Sequence, residues 1–210
     1  MLKIKPAILY SYRRCPYAMR ARMALRYANI EYEIREISFR DKPQSLRRIS
    51  PKATVPVLLL PDGQVIDQSL DIMNWALQQS DPDGWLLSEA EGKHQIMRLI
   101  EVNDRPFKIL LDQYKYPDRH PDLVRAEVLA KAITTHIKPL DEILQKSTHL
   151  LGEHLGLADV AIFPFIRQFS MVDPTWFESS PYEHLRHWLK RFLASELFNA
   201  VMAKNAVWID

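Results

Sequence analysis

Short strand-like and helix-like stretches alternate through residues 1–79 and then give way at Ser80-Asp81-Pro82-Asp83-Gly84, a run of breakers beyond which strand-like alternation largely disappears. Ala7 to Tyr12 form an apolar and aromatic run, Pro16 to Ala28 carry Ala, Met, Leu and Arg of good helix propensity, and Tyr32 to Ile37 read as a strand. The chain therefore opens on a β-α-β unit. Pro43 to Ile49 suit a short helix. Val55 to Leu60 read as a buried strand closed by the turn residues Pro61, Asp62 and Gly63, with Val65 and Ile66 as the returning arm of a hairpin. Ser69 is a good N-cap for a helix through Leu70, Ile72, Met73, Trp75, Ala76 and Leu77, and Asp71 in its first turn suits the helix dipole. The predicted order is β-α-β-α-β-β-α, an α/β front domain over residues 1–79.

Residues 80–88 read as a linker and 89–210 as an all-helical domain. Its helices are expected near 90–116, kinked at Pro106, then 121–146, with a second kink at Pro139, and then 157–171, 181–194 and 195–203. A length of 210 residues is ample for a hydrophobic core in each part. With 47% hydrophobic and 26% charged residues, and no apolar run near the roughly 20 residues of a spanning helix, no membrane role is expected. The N-terminal residues Met1 to Pro6 lack the apolar stretch of a secretory signal, which makes a cytoplasmic location the expectation. Basic residues number 28 against 26 acidic, a net charge of +2, so there is no overall footprint for nucleic acid or anionic lipid.

The chain has one cysteine, Cys15, which excludes an intramolecular disulfide and a multi-thiolate zinc site. Arg13, Arg14, Arg20, Arg22 and Arg26 surround it in sequence with no acidic residue among them. Pro16 follows, placing the thiol at the N-cap of the first helix with proline at N1, where its missing donor costs nothing. Helix amides, the positive end of the dipole and nearby arginines all favour the thiolate, the nucleophilic form. A lone cysteine is often no more than a small buried hydrophobe, but this setting is that of a reactive thiol. Two further features accompany it. Val55-Pro56 stands where a central strand should begin, and Gln68-Ser69 stands at a helix start able to receive a carboxylate.

Cys15-Pro16-Tyr17-Ala18, Val55-Pro56 and Gln68-Ser69, in this order and followed by a helical domain, resemble the glutathione transferase superfamily, nearest the Omega class and its bacterial relatives. The resemblance covers essentially the whole chain. It implies a thioredoxin-like front domain, a cis Val55-Pro56 bond, glutathione as co-substrate, no metal, and a homodimer. It also implies residue roles: Cys15 as the catalytic thiol, Tyr17 lining the glutathione site, Lys42 near the glycyl carboxylate, the backbone of Val55 beside Pro56 pairing with the cysteinyl part, and Gln68 with Ser69 receiving the γ-glutamyl end. Gln68 departs from the Glu common in Omega enzymes, though an amide oxygen still accepts from an ammonium. Gly156 to Asp159 resembles the family's capping box with glycine in place of Ser or Thr, which loses one capping bond and keeps the helix.

The activity so implied is reduction of glutathione mixed disulfides, with dehydroascorbate as a further substrate, by a monothiol route, since Ala18 stands where a dithiol enzyme has its second cysteine. The rivals are conjugation of glutathione to electrophiles and a non-catalytic interaction module of the same fold. Among the histidines, His184 and His187 alone share a helical ligand spacing, and they lack a carboxylate or cysteine partner for metal. Tyr114, Tyr116, Trp176 and Trp208 could line an acceptor pocket, but aromatics at such spacing are more often core.

Overall fold

The computed structural model describes residues 6–210; the stretch Met1 to Lys5, on which part of the signal-peptide argument rests, lies outside the described residues. One compact unit runs up to Asp83 and takes in Ser195–Asp210, and the other is Gly84–Ala194.

The first unit follows the predicted β-α-β-α-β-β-α order: β1 (Ala7–Ser11), α1 (Pro16–Tyr27), β2 (Tyr32–Glu36), α2 (Gln44–Ile49), β3 (Val57–Leu59), β4 (Val65–Ile66) and α3 (Ser69–Gln79). The sheet order is β2-β1-β3-β4. β1 pairs parallel to β2, with Leu9 opposite Ile34, and antiparallel to β3, with Leu9 opposite Leu58. A near-continuous apolar run suits this inner position, and Leu9 and Leu58 are fully buried. The sequence pattern predicts a third strand from Val55, whereas the ladder starts at Val57. Pro56 has no N–H to donate, so pairing begins after it.

Nine of the twelve residues of α1 are buried, Arg20 and Arg22 among them, which makes it a core helix. It ends in a Schellman turn. Ile30 N donates to Leu25 O and Asn29 N to Arg26 O, with Asn29 in the left-handed region at φ 55°, where asparagine is tolerated.

The last residues join this unit, although the sequence pattern carries the helical domain through to 210. Ser195 caps α11 (Glu196–Val201) by accepting from Phe198 N at 3.2 Å. Val207 then bridges Glu36 in parallel register, and Trp208 N donates to Glu36 O at 2.8 Å. Asp210 accepts from Ser45 N at 2.8 Å and from the Ser45 hydroxyl, which holds its carboxyl down at about 2. The segment thus covers the outer edge of β2, which would otherwise present unpaired backbone groups.

The second unit is helical. α4 (Ala90–Val102) and α5 (Lys108–Lys115) are joined by a π turn, Asn103–Phe107, that contains Pro106. α6 (Arg125–Ala132) and α7 (Lys138–Leu144) are joined by another, Ile133–Ile137, just ahead of Pro139. Both proline sites are therefore absorbed by a wider turn, which leaves the helices continuous. α6 begins at Arg125 and not near 121, because residues 117–123 form turns. α8 (Leu157–Ser170), a short α9 (Pro174–Ser179) missing from the sequence-based set, and α10 (Glu183–Ala194) complete the unit. No helix among the described residues is long and apolar enough to cross a membrane.

Asp159 organises this unit. Its carboxylate accepts from Gly156 N at 3.3 Å, Leu150 N at 3.0 Å and Trp188 Nε1 at 2.8 Å. Glycine at the N-cap has no side chain to return the bond, so one arm of the capping box is present. Burial pushes the Asp159 carboxyl up, against the pull of these donors. Tyr114, buried in the core, packs its ring 5.5 Å from Phe169, and the half-buried Trp176 packs 6.0 Å from the same ring at the edge of that core.

His136 lies in the second π turn, buried, with its ring 4.5 Å from Phe107 and Nε2 without a hydrogen-bond partner among the described residues. Burial lowers its pKa to about 3. The unfolded chain therefore binds a proton near pH 6.5 that the folded chain refuses until about pH 3, so stability falls as pH drops through that window. His136→Leu is expected to remove up to about 1.4 kcal/mol per pH unit from the slope of unfolding free energy against pH there, measured by urea unfolding. An unchanged slope counts against this assignment.

Candidate active site

β1 delivers the chain into the turn Tyr12-Arg13-Arg14-Cys15, closed by Cys15 N donating to Tyr12 O at 3.0 Å. Cys15 takes an extended conformation and is the N-cap of α1, with Pro16 behind it at the first helical position. Its carbonyl accepts from Met19 N at 2.9 Å, the first bond of the helix. The half-buried thiol lies 3.7 Å from Val55 O, to which it donates. The sulfur makes no capping hydrogen bond to the opening amides of α1, so the helix start favours the thiolate through its dipole, while the Val55 carbonyl favours the protonated form.

The five arginines near Cys15 divide into three groups. Arg22 is buried beneath the turn: its Nη1 donates to Ser11 Oγ at 2.6 Å and Tyr12 O at 3.3 Å, its Nη2 to Arg13 O at 2.7 Å, and its Nε to Val201 O at 3.1 Å. Burial lowers the Arg22 pKa, and the neighbouring Glu36 carboxylate and Cys15 sulfur pull it back up in part. The buried guanidinium is therefore within Coulombic reach of the sulfur. Arg20, also buried, donates from Nε to Ser69 Oγ at 3.0 Å and lies 5.1 Å over the Tyr17 ring. Arg13 and Arg14 stay on the outer side of the turn, and Arg26 stands about 16 Å along the helix axis from Cys15. Glu36 completes the loop from the other side, accepting from Arg13 N at 2.6 Å through Oε1.

The remaining candidate residues fall in the same unit. Val55 precedes β3, outside the paired register, and its bond to Pro56 is cis. Tyr17 and Ser69 are linked through Arg20. The sequence pattern makes Ser69 the cap of α3, but Gln68 is the N-cap and exposed, with Ser69 buried as the first helical residue. Ser69 lies inside the first turn and so cannot cap it, and its hydroxyl accepts from Arg20 instead. Lys42 is half-buried in the loop before α2, its Nζ 5.9 Å over Phe39, whose ring meets Tyr12 at 4.6 Å. Trp208 lies beneath Arg35, 4.0 Å from guanidinium to ring, on the edge of the sheet. Arg20, Arg22 and Glu36 are the groups that sequence patterns assign no contact; a charged residue on the apolar face of a helix is the signal that marks the two arginines.

Comparison with known proteins places this geometry. The glutathione S-transferase N-terminal domain family matches residues 9–84 and the C-terminal domain family residues 118–191. Maleylacetoacetate isomerase from Mus musculus is 31% identical over 202 residues, which span 91% of this chain and 89% of that protein. Glutaredoxin 2 from Escherichia coli is 26% identical over 188 residues, spanning 78% and 85%. A glutathione transferase family member from Pseudomonas fluorescens, solved with two glutathione bound, shares the fold with a TM-score of 0.80 at 18% identity, over 96% of this chain and 94% of that one. The chain belongs to the glutathione S-transferase family.

Arg22 is the group on which the site's shape rests. Arg22→Met keeps the apolar stem and leaves the Tyr12, Arg13 and Val201 carbonyls without their donor, and it is expected to cost about 3 kcal/mol or more of unfolding free energy by urea titration. A loss under about 1 kcal/mol shows that the clamp is not needed.

Proposed function

We propose that this protein is a glutathione-dependent thiol transferase, nearest the Omega class, acting through Cys15 by a monothiol mechanism. The observation that carries the reading is the place of the Cys15 sulfur, at the N-cap of α1 and beside Val55 O, with a buried guanidinium in Coulombic reach. The Cys15 thiolate attacks the glutathionyl sulfur of a mixed disulfide. A bond forms between the two sulfurs as the original disulfide breaks, and the electron pair leaves on the second thiol, which takes a proton from water. A second glutathione thiolate then attacks the glutathione sulfur held on Cys15, releasing glutathione disulfide and the Cys15 thiolate. Ala18, buried one turn into α1, closes the two-cysteine route. Dehydroascorbate is a further substrate under the same reading, and a cytoplasmic homodimer belongs to it.

Glutathione would lie along the sheet end of the first unit. The Val55 backbone pairs with its cysteinyl part, Lys42 faces the glycyl carboxylate, Tyr17 lines the site, and Gln68 takes the γ-glutamyl ammonium. The Ser69 hydroxyl accepts from Arg20 and keeps its own O–H to donate to the γ-glutamyl carboxylate, together with its amide at the start of α3, where the first amides have no partner inside the helix.

A second reading makes bound glutathione itself the nucleophile; it is kept because the mouse relative is named for an isomerisation and not for thiol transfer. One variant separates the two. Cys15→Ser removes the sulfur that forms the mixed disulfide but leaves a hydroxyl at the helix start that can donate to a glutathione thiolate. Thiol transfer to a glutathionylated cysteine is expected to vanish in this variant, while conjugation to chlorodinitrobenzene is kept or gained. Full thiol transfer without Cys15 removes the proposal, and a wild type that conjugates but never reduces a mixed disulfide puts the second reading in its place. Gln68→Ala and Lys42→Ala hold parts of the ligand remote from sulfur, so they are expected to raise KM for glutathione several-fold with kcat little changed. Loss of turnover at saturating glutathione contradicts those roles.

A further inference from the structure

The turn that presents Cys15 also forms one wall of a cleft of about 560 Å³. Arg13 and Arg14 come from that turn, Phe39 and Arg40 from the loop after β2, and Lys204 from the segment after α11. Three stretches far apart in sequence thus bring four cations to one opening. None of the four forms an ion pair among the described residues. Arg14 Nη2 donates to the Tyr12 hydroxyl at 2.9 Å, an uncharged partner. The one carboxylate on the cleft wall, Glu36, is buried and accepts from Arg13 N through Oε1. Four cations against one buried carboxylate leave an excess of like charge that repels itself and focuses a positive field into a concave surface, a cost that an anionic ligand relieves. Beside them the Phe39 ring is 52% exposed and stands edge-on to Tyr12, an apolar wall within the charged one.

We infer that this cleft holds the departing half of the disulfide and selects glutathione mixed disulfides whose second thiol carries carboxylates on a short apolar stem. The inference rests on the thiol-transfer reading and names its substrate class. As the Cys15-to-glutathione bond forms and the disulfide breaks, the departing sulfur takes the electron pair as a thiolate. Under this inference Arg13 and Arg14, on the turn that ends in Cys15, are the cleft cations nearest in sequence to that growing charge, while Arg40 and Lys204 on the rest of the lining hold the carboxylate.

The test uses three glutathione mixed disulfides of similar size whose departing thiols are 3-mercaptopropionate, 2-mercaptoethanol and cysteamine: anionic, neutral and cationic. Binding is measured by calorimetry on Cys15→Ser protein, where no exchange can begin, and turnover on protein with Cys15 intact. The anionic disulfide is expected to bind about tenfold more tightly than the cationic one at low salt, with the gap closing as ionic strength rises. Arg40→Glu with Lys204→Glu is expected to reverse the order, and Arg40→Gln with Lys204→Gln to narrow it; the second pair decides if the first does not fold. Equal binding of the three, no binding of any, or an order unchanged in the charge-altered proteins overturns the inference. Charge-ordered binding without turnover keeps the cleft and removes thiol transfer. Turnover without charge-ordered binding keeps thiol transfer and removes the cleft.

Discussion

The Arg22 guanidinium sits under the turn between β1 and α1 and satisfies in one plane the Ser11 hydroxyl and the carbonyls of Tyr12, Arg13 and Val201. Taking a cation out of water costs several kcal/mol, and only well-aimed acceptors and nearby negative charge offset it. Arg22 has both, with Glu36 and a Cys15 thiolate supplying the charge. A lysine cannot replace the fork, because its single ammonium cannot reach acceptors on two sides. Through this group the last strand residue, the turn and the distant helix α11 are fixed together, and the direction in which Cys15 leaves the turn follows from it.

The same economy explains why arginines close in sequence act differently. A charge on α1 or on the turn before it is either driven into the core, where it must find fixed partners, or left outside, within reach of a ligand. Arg20 and Arg22 took the first course, tying α1 to α3 through Ser69 and to α11 through Val201. Arg13 and Arg14, one turn earlier, took the second. Cys15 lies at the seam between the two groups, with the helix amides behind it.

The strand and helix order of the front unit is legible in sequence because its signals are local. Pro16 after Cys15 fixes a helix start, and Pro61-Asp62-Gly63 fixes a hairpin turn. That Cys15 and Val55 share one site came only from resemblance, and their direct hydrogen bond, across 40 residues, was not legible at all. What stayed hidden was tertiary. Ser69 reads as a cap, but the helix takes Gln68 as its N-cap and the Ser69 hydroxyl meets Arg20, 49 residues away. The segment after Ser195 reads as more helical domain until β2 offers it an edge. Arg22 and Val201, 179 residues apart, have no shared pattern at all. Pro106 and Pro139 mark irregularities correctly, but their neighbours decide whether a helix breaks or widens.

The account turns on whether this setting makes Cys15 a thiolate at neutral pH, with the helix start and Arg22 outweighing the hydrogen bond to Val55 O. The most direct measurement is the rate of iodoacetamide alkylation of the folded protein as a function of pH. The account predicts that the rate rises with a midpoint below the value of about 8.5 for an ordinary thiol. A midpoint at or above that value, or a Cys15 that does not react in the folded protein, contradicts it.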